Sequence, residues 1–293
     1  MIWYPFTNYS WLKVWTCTPE KPTWSIHVHS PYNYPFSDNL PDWVTDLIKK
    51  ITEGDGALTK ELGEFMRTFT DLGLTFSKDL WGPSKNTLLY VKDTTLRVTA
   101  NGYAVHTKKE NVQQAVYEFT TKFNEMLQTY ADKQQYPVNA PLEIRITSLD
   151  DPRHVGAANA ERPTISALSK DREDEENGWD VALWLDVLTL PGTPYSNQFF
   201  TDLEEWIEQN FSGSYAKAMP EWSKGWAYTD QGPWTNQQYM QTIRQMFTTG
   251  RSDQDDWNWE VATLQKYDQA NLFSNALLDQ LFLPAAMAGK AAG

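Results

Sequence analysis

Leu142-Glu143-Ile144-Arg145-Ile146-Thr147 alternates without a break. Successive side chains of a strand point to opposite faces, so Leu142, Ile144 and Ile146 share one face and Glu143, Arg145 and Thr147 the other. The aliphatic face suits packing under helices. The second face brings a carboxylate and a guanidinium to the same side of the strand. Turned to bulk water, such a pair is a surface ion pair of small energetic weight. Turned to a covered pocket, it is a charged constellation in low dielectric, where chemistry tends to sit.

Outward from this strand, the chain reads as strands and helices in blocks. Trp11–Thr18 and Trp24–His29 alternate and predict strands, separated by Pro19 and Pro22. The loop Pro31-Tyr32-Asn33-Tyr34-Pro35-Phe36 follows. Val44, Leu47, Ile48 and Ile51 recur at helical spacing, Pro41 stands near that helix start, and Gly54 and Gly56 end it. Leu58, Leu62, Phe65, Met66, Phe69 and Leu72 predict a second helix. Leu88–Val91 and Thr95–Thr99 read as strands about Asp93. Asn101-Gly102 is a hairpin signal, with Tyr103–His106 as the return strand. A long helix is expected from about Lys108 to Gln135, ended by Pro137.

Beyond the central strand, Arg162–Leu168 suggests another strand, and Lys170–Asn177 reads as a solvated charged loop. Val181, Leu183, Leu185 and Val187 alternate against Ala182, Trp184 and Asp186. Helices are expected over about 196–210 and 236–247, and Ser252 with Asp255 resembles a capping box opening a third. Residues 284–293 are expected to form a disordered tail. The order predicts an α+β fold, a large mixed and mostly antiparallel sheet with helices packed mainly on one face.

A net charge of −13 disfavours nucleic acid and anionic membrane surfaces as partners. Cys17 is the single cysteine, which excludes an intrachain disulfide and any cysteine-based zinc site and leaves the compartment open. There is no transmembrane-length apolar run and no signal-peptide pattern. The abrupt start at Met1-Ile2-Trp3 suggests a truncated or split polypeptide. With 14 Trp, 14 Tyr and 13 Phe, the chain holds either an aromatic-rich core or a flat apolar pocket.

Taken together, the strands offer an aliphatic face of Leu12, Val14, Leu96, Val98, Leu142, Ile144, Ile146, Leu183 and Leu185. The opposite face carries Lys13, Trp15, Arg97, Glu143, Arg145, Trp184 and Asp186. That face is either solvated or roofs a ligand cavity lined by aromatics and a few placed polar groups. His27 and His29 have a spacing that can bind metal, but no third ligand is evident and no metal is expected. His154 lies in a loop just after the central strand, where a surface histidine is the plain expectation. No glycine-rich phosphate loop, nucleotide fingerprint, nucleophile elbow or Cys/His cluster occurs.

Three motifs then resemble a known family. Pro141–Thr147, Trp222-Ser223-Lys224-Gly225-Trp226-Ala227-Tyr228-Thr229 and Lys266-Tyr267-Asp268-Gln269-Ala270-Asn271-Leu272-Phe273 follow in this order, after Trp11–Trp15 and Pro31–Asp38. They look like the substrate-binding domain of the type II cholesterol oxidases, covalent-flavin members of the vanillyl-alcohol oxidase superfamily. The resemblance covers nearly the whole chain. It implies one domain over residues 1–283, with 221–283 packing toward an FAD-binding domain supplied upstream or in trans. It implies oxidation of a sterol 3-hydroxyl or related alcohol, with FAD as cofactor and O2 as electron acceptor. The family's Glu-x-Arg pattern falls on Glu143 and Arg145 as catalytic residues. Trp15, Trp184 and Asp186 on the same face are the expected substrate-binding residues. The chain departs from the family ending at Gln269, where proline is usual, and it lacks the FAD-binding domain, so it is expected to be inactive alone. The alternative is a non-catalytic module binding a sterol or carbohydrate on its tryptophan-rich sheet face.

Overall fold

The structure, a computed structural model, describes residues 1–32, 42–77, 79–88, 97–224 and 233–282. Strands β1 (Ile2–Trp3), β2 (Ser10–Trp11), β3 (Ile26–His27), β4 (Leu80–Trp81), β5 (Thr99–Thr107), β6 (Leu142–Ser148), β7 (Val181–Thr189) and β8 (Ala216–Pro220) form two sheets. The larger runs in the order β2-β1-β6-β7-β5-β8, and the smaller is the parallel pair β3-β4. β1 is antiparallel to β2 and β6, and β5 to β8. Backbone bonds from Leu149 N to Asp180 O and from Leu188 N to Pro141 O lie at opposite ends of β6 and β7, which makes that pair antiparallel too. The helices are α1 (Asp42–Thr52), α2 (Thr59–Ser77), α3 (Ser84–Thr87), α4 (Val112–Ala131), α5 (Arg172–Asn177), α6 (Ser196–Asn210), α7 (Gln237–Met246), α8 (Trp257–Tyr267) and α9 (Ala276–Phe282). The fold is α+β, with the Glu143/Arg145 strand inside the sheet.

Two compact units are built from interleaved stretches of chain. The first comprises Met1–Ala100, Thr121–Glu143 and Val187–Phe199. Its helical part buries Val44, Leu47 and Ile51 of α1 against Leu62 and Met66 of α2 and Tyr4, the stripes that the helical spacing foretold. Phe123 stands edge-on to Trp3 and to Phe199, each with centroids 5.8 Å apart. Buried Asn139 ties its own segment to the end of β7 and the turn after it: its amide donates to Thr193 Oγ1, and its oxygen accepts from Thr189 Oγ1 and Leu190 N.

The second unit comprises Asn101–Thr120, Ile144–Asp186 and Phe200–Gly293. Trp222 packs on Phe247 with centroids 5.6 Å apart and lies 6.3 Å from Trp257, which stacks in turn on Phe282 at 5.2 Å. The Trp222 indole donates to Ile165 O at 2.6 Å, so this aromatic stack also fixes a loop.

Several sequence expectations fail for identifiable reasons. Asn101-Gly102 is no turn but the middle of β5. Asn101 is buried and donates to Glu204 Oε1 at 2.6 Å, and Gly102 lies against Asp186, so tertiary partners override the local turn preference. The alternation from Trp11 to Thr18 yields a strand only at Ser10–Trp11, because its partner β1 is two residues long; Leu12 and Val14 are exposed and do not join the aliphatic face. The Trp24–His29 strand shrinks to Ile26–His27. Arg162–Leu168 forms turns. Ile146 is exposed, although Leu142 and Ile144 are buried as expected. The helix after Ser252 opens at Trp257, capped by Asp256 Oδ1 accepting from Trp259 N.

The charged segment Lys170–Asn177 is also no solvated loop. It contains α5, opened by a reciprocal Asp171/Asp174 capping box, and it buries Asp174 completely. The Asp174 carboxylate accepts from His106 Nδ1 at 2.8 Å and from Lys217 Nζ at 3.0 Å. Asn33–Phe36 of the expected Pro31–Phe36 loop, the Leu89–Val91 and Thr95–Leu96 strand segments, the Gly225–Thr229 part of the second motif and the tail lie outside the described residues.

Candidate functional site

In the second unit, β6 carries Arg145 and Thr147 on one face and β7 carries Trp184 and Asp186. The Arg145 Nη2 donates to Asp186 Oδ2. The two partners differ sharply in exposure: Asp186 is 1% exposed, and the Arg145 side chain 54%. Lys224 Nζ stands 3.6 Å from the other carboxylate oxygen, Oδ1, which is buried and accepts no hydrogen bond among the described residues. A buried carboxylate would be costly alone, and the two cations offset that cost. One oxygen is committed to the guanidinium; the other is held by charge only and keeps its lone pairs free. The guanidinium is thereby anchored at one nitrogen while much of its fork remains open.

Trp184 Nε1 donates to Thr147 Oγ1 at 2.9 Å. Trp184 therefore belongs to the Arg145/Thr147 face and not to the side of Leu142 and Ile144. A half-buried indole, an open guanidinium and a lysine make a surface with an apolar wall and two fixed donors.

In the first unit, Glu143 lies opposite Ile2 in the β1–β6 pairing. The Lys13 ammonium interacts with it. Burial lowers the Lys13 pKa, and the negative charge of Glu143 works against that shift. Trp15 is half-exposed on an irregular segment after β2, not on a strand face. The structure thus joins Arg145 to Asp186, and Trp184 to Thr147. Lys224 was given no site role from sequence, and Gly102 was read only as part of a turn; the signal for Lys224 was its place in the Trp222-Ser223-Lys224 motif. His27 and His29 lie with ring centroids 3.8 Å apart, and no group of three potential metal ligands occurs among the described residues. His154 sits in a short turn, and the neighbouring Asp151 pairs with Arg153. No helix among the described residues is long and apolar enough to cross a membrane.

The second unit thus presents a clamped guanidinium, an ammonium and an indole on neighbouring strands and the turn that follows β8. The family profile for the substrate-binding domain of cholesterol oxidase matches residues 1–283. Among solved structures, a "solvent-stable cholesterol oxidase" is 52% identical, with a TM-score of 0.89 over 96% of this chain and 53% of that one. Cholesterol oxidase from Brevibacterium sterolicum is 38% identical, with a TM-score of 0.89 over 96% of this chain and 52% of that one. A histidine-to-alanine mutant of that enzyme matches at the same 38% identity, TM-score of 0.89 and coverage. A search of curated proteins found no match. The chain belongs to the cholesterol oxidase substrate-binding family, and it spans about half the length of the solved structures that it matches.

Proposed function

We propose that this chain is the substrate-binding half of an FAD-dependent oxidase of sterols or related alcohols, inactive until joined by an FAD-binding domain. The observation that carries the reading is the 52% identity over 96% of the chain to a cholesterol oxidase. The described residues fit the flavin's reactive ring: Arg145 and Lys224 are two cations flanking one buried carboxylate, a donor set suited to an electron-rich edge. Bound FAD would accept the substrate hydride and pass electrons to O2.

The roles of the chain's own residues follow from their chemistry. Arg145 stabilises negative charge that develops on the substrate oxygen or at the cofactor, through donors not used by Asp186. Asp186 holds the guanidinium in place from its buried seat. Glu143 accepts a proton as general base. Trp184 supplies an apolar wall for a flat ring system, and Trp15 stays a candidate for substrate contact on its own segment. Fusing the chain to an FAD-binding domain of this family and following peroxide release from cholesterol tests the proposal. Sterol-dependent peroxide is the expected result. Sterol binding without peroxide, in a flavin-loaded fusion, would make the domain a binding module.

A further inference from the structure

Asn101-Gly102 lies in the middle of β5, the strand next to β7 in the sheet. We propose that Gly102 is a positioning residue for the Arg145–Asp186 pair: its missing Cβ is the seat of the Asp186 carboxylate. The functional part of this inference rests on the role given to Arg145 above.

A glycine inside a strand forfeits packing and carries an entropic cost, so its presence needs a cause. The backbone does not supply one, because Gly102 is not among the residues with positive φ. The space does. A Cβ at position 102 would lie 2.3 Å from Asp186 Oδ1, 3.3 Å from Asp186 Cγ and 3.2 Å from Leu185 O. No side chain tolerates the first of these distances.

Something must move, and the strand is poorly placed to do so. On its other face β5 is tied down by the Asn101–Glu204 hydrogen bond at 2.6 Å and by buried Tyr103, whose hydroxyl accepts from Tyr239 at 3.0 Å. A methyl group at 102 therefore expels the carboxylate rather than shifting β5. Asp186 is buried and its Oδ2 is committed to Arg145, so expulsion breaks the ion pair and frees the guanidinium to swing. The dipeptide works on both faces: Asn101 locks the strand while Gly102 leaves the hole.

The test is a double-mutant cycle on the 293-residue chain. Gly102→Ala should lower Tm by about 5 °C, the usual scale for overpacking. In an Asp186→Ala background the same substitution should change Tm by no more than about 2 °C, since both Asp186 contacts are gone and only the 3.2 Å approach to Leu185 O remains. Asp186→Ser serves equally if Asp186→Ala folds poorly. Equal losses in both backgrounds would mean an ordinary packing role and overturn the proposal. The flavin-loaded fusion adds a second readout. There Gly102→Ala should lower kcat about tenfold or more with a smaller effect on KM, and should add nothing to Asp186→Ala. If Asp186→Ala leaves kcat unchanged, the catalytic reading of the pair fails, while the Tm cycle still decides on the seat.

Discussion

Replacing Glu204 by glutamine should stabilise the protein in alkaline solution and leave it unchanged in acid. Glu204 projects from α6 and is 6% exposed. It accepts from Asn101, faces Tyr103 and Tyr239, and has Glu208 one turn further along its own helix. Burial pushes its carboxyl up from the ordinary 4.5 to about 7; Glu208 adds to the shift, and hydrogen bonds from Asn101 and Tyr103 oppose it. Between those two values the folded state holds a proton that the unfolded chain has released, so stability falls as pH rises from about 4.5 to about 7. The full loss is about 3 kcal/mol above pH 7. Glutamine still accepts from Asn101 and never ionises. At pH 8 its Tm should exceed that of the parent by about 5 to 10 °C, with the difference closing to about 1 °C by pH 4.5. Thermal melts followed by circular dichroism at a series of pH values measure this. A variant less stable at pH 8, or a difference that does not vary with pH, would refute the argument.

In a flavin-loaded fusion, Arg145→Ala should reduce turnover by about a hundredfold or more, and Arg145→Lys should recover only part, since an ammonium cannot reproduce a planar fork. Wild-type turnover in Arg145→Ala would reduce the pair to a surface ion bridge. Glu143→Gln should lower kcat more than it raises KM, because it keeps the shape and removes the base. Asp174→Asn should cost about 3 kcal/mol near neutrality, since it uncharges a fully buried partner of His106 and Lys217. His106 and Lys217 hold the Asp174 carboxyl well below its ordinary 3.8, so its stabilisation is complete above that value and is lost as the pH falls below it; the cost should shrink in urea titrations run below pH 4. The chain purified alone should show no flavin absorbance, because its sequence offers no glycine-rich phosphate cradle.

The central strand was legible because Leu142, Ile144, Glu143 and Arg145 sort cleanly by chemistry, and alternation needs no tertiary information. The helices were legible for a similar reason: in α1 and α6 the apolar stripe is wide and the neighbouring breaks are strong. Legibility failed where a distant residue decided the local state. Asn101-Gly102 reads as a turn until Glu204 and Asp186 are brought to it from elsewhere in the chain. Asp174 reads as one more solvated acid in a charged run until His106 and Lys217 meet it. Trp11–Thr18 alternates correctly but runs past the end of β1, so its pattern has no ladder to join. In the site, the pairing of Arg145 with Asp186 needed two separate strands in register, and the approach of Lys224 needed the turn after β8; neither is written in local spacing.

The stacked rings that carry Trp222 give the molecule an internal optical label. Two indoles held 6.3 Å apart with planes inclined by 35° couple their electronic transitions, and the coupled band has a circular dichroism that neither ring gives by itself. Trp222 lies two residues before Lys224, so any event that lifts this turn from Phe247 also breaks the coupling. The placement of the lysine beside Asp186 can therefore be followed in solution by spectroscopy of the unlabelled protein, including while another domain or a ligand is being added.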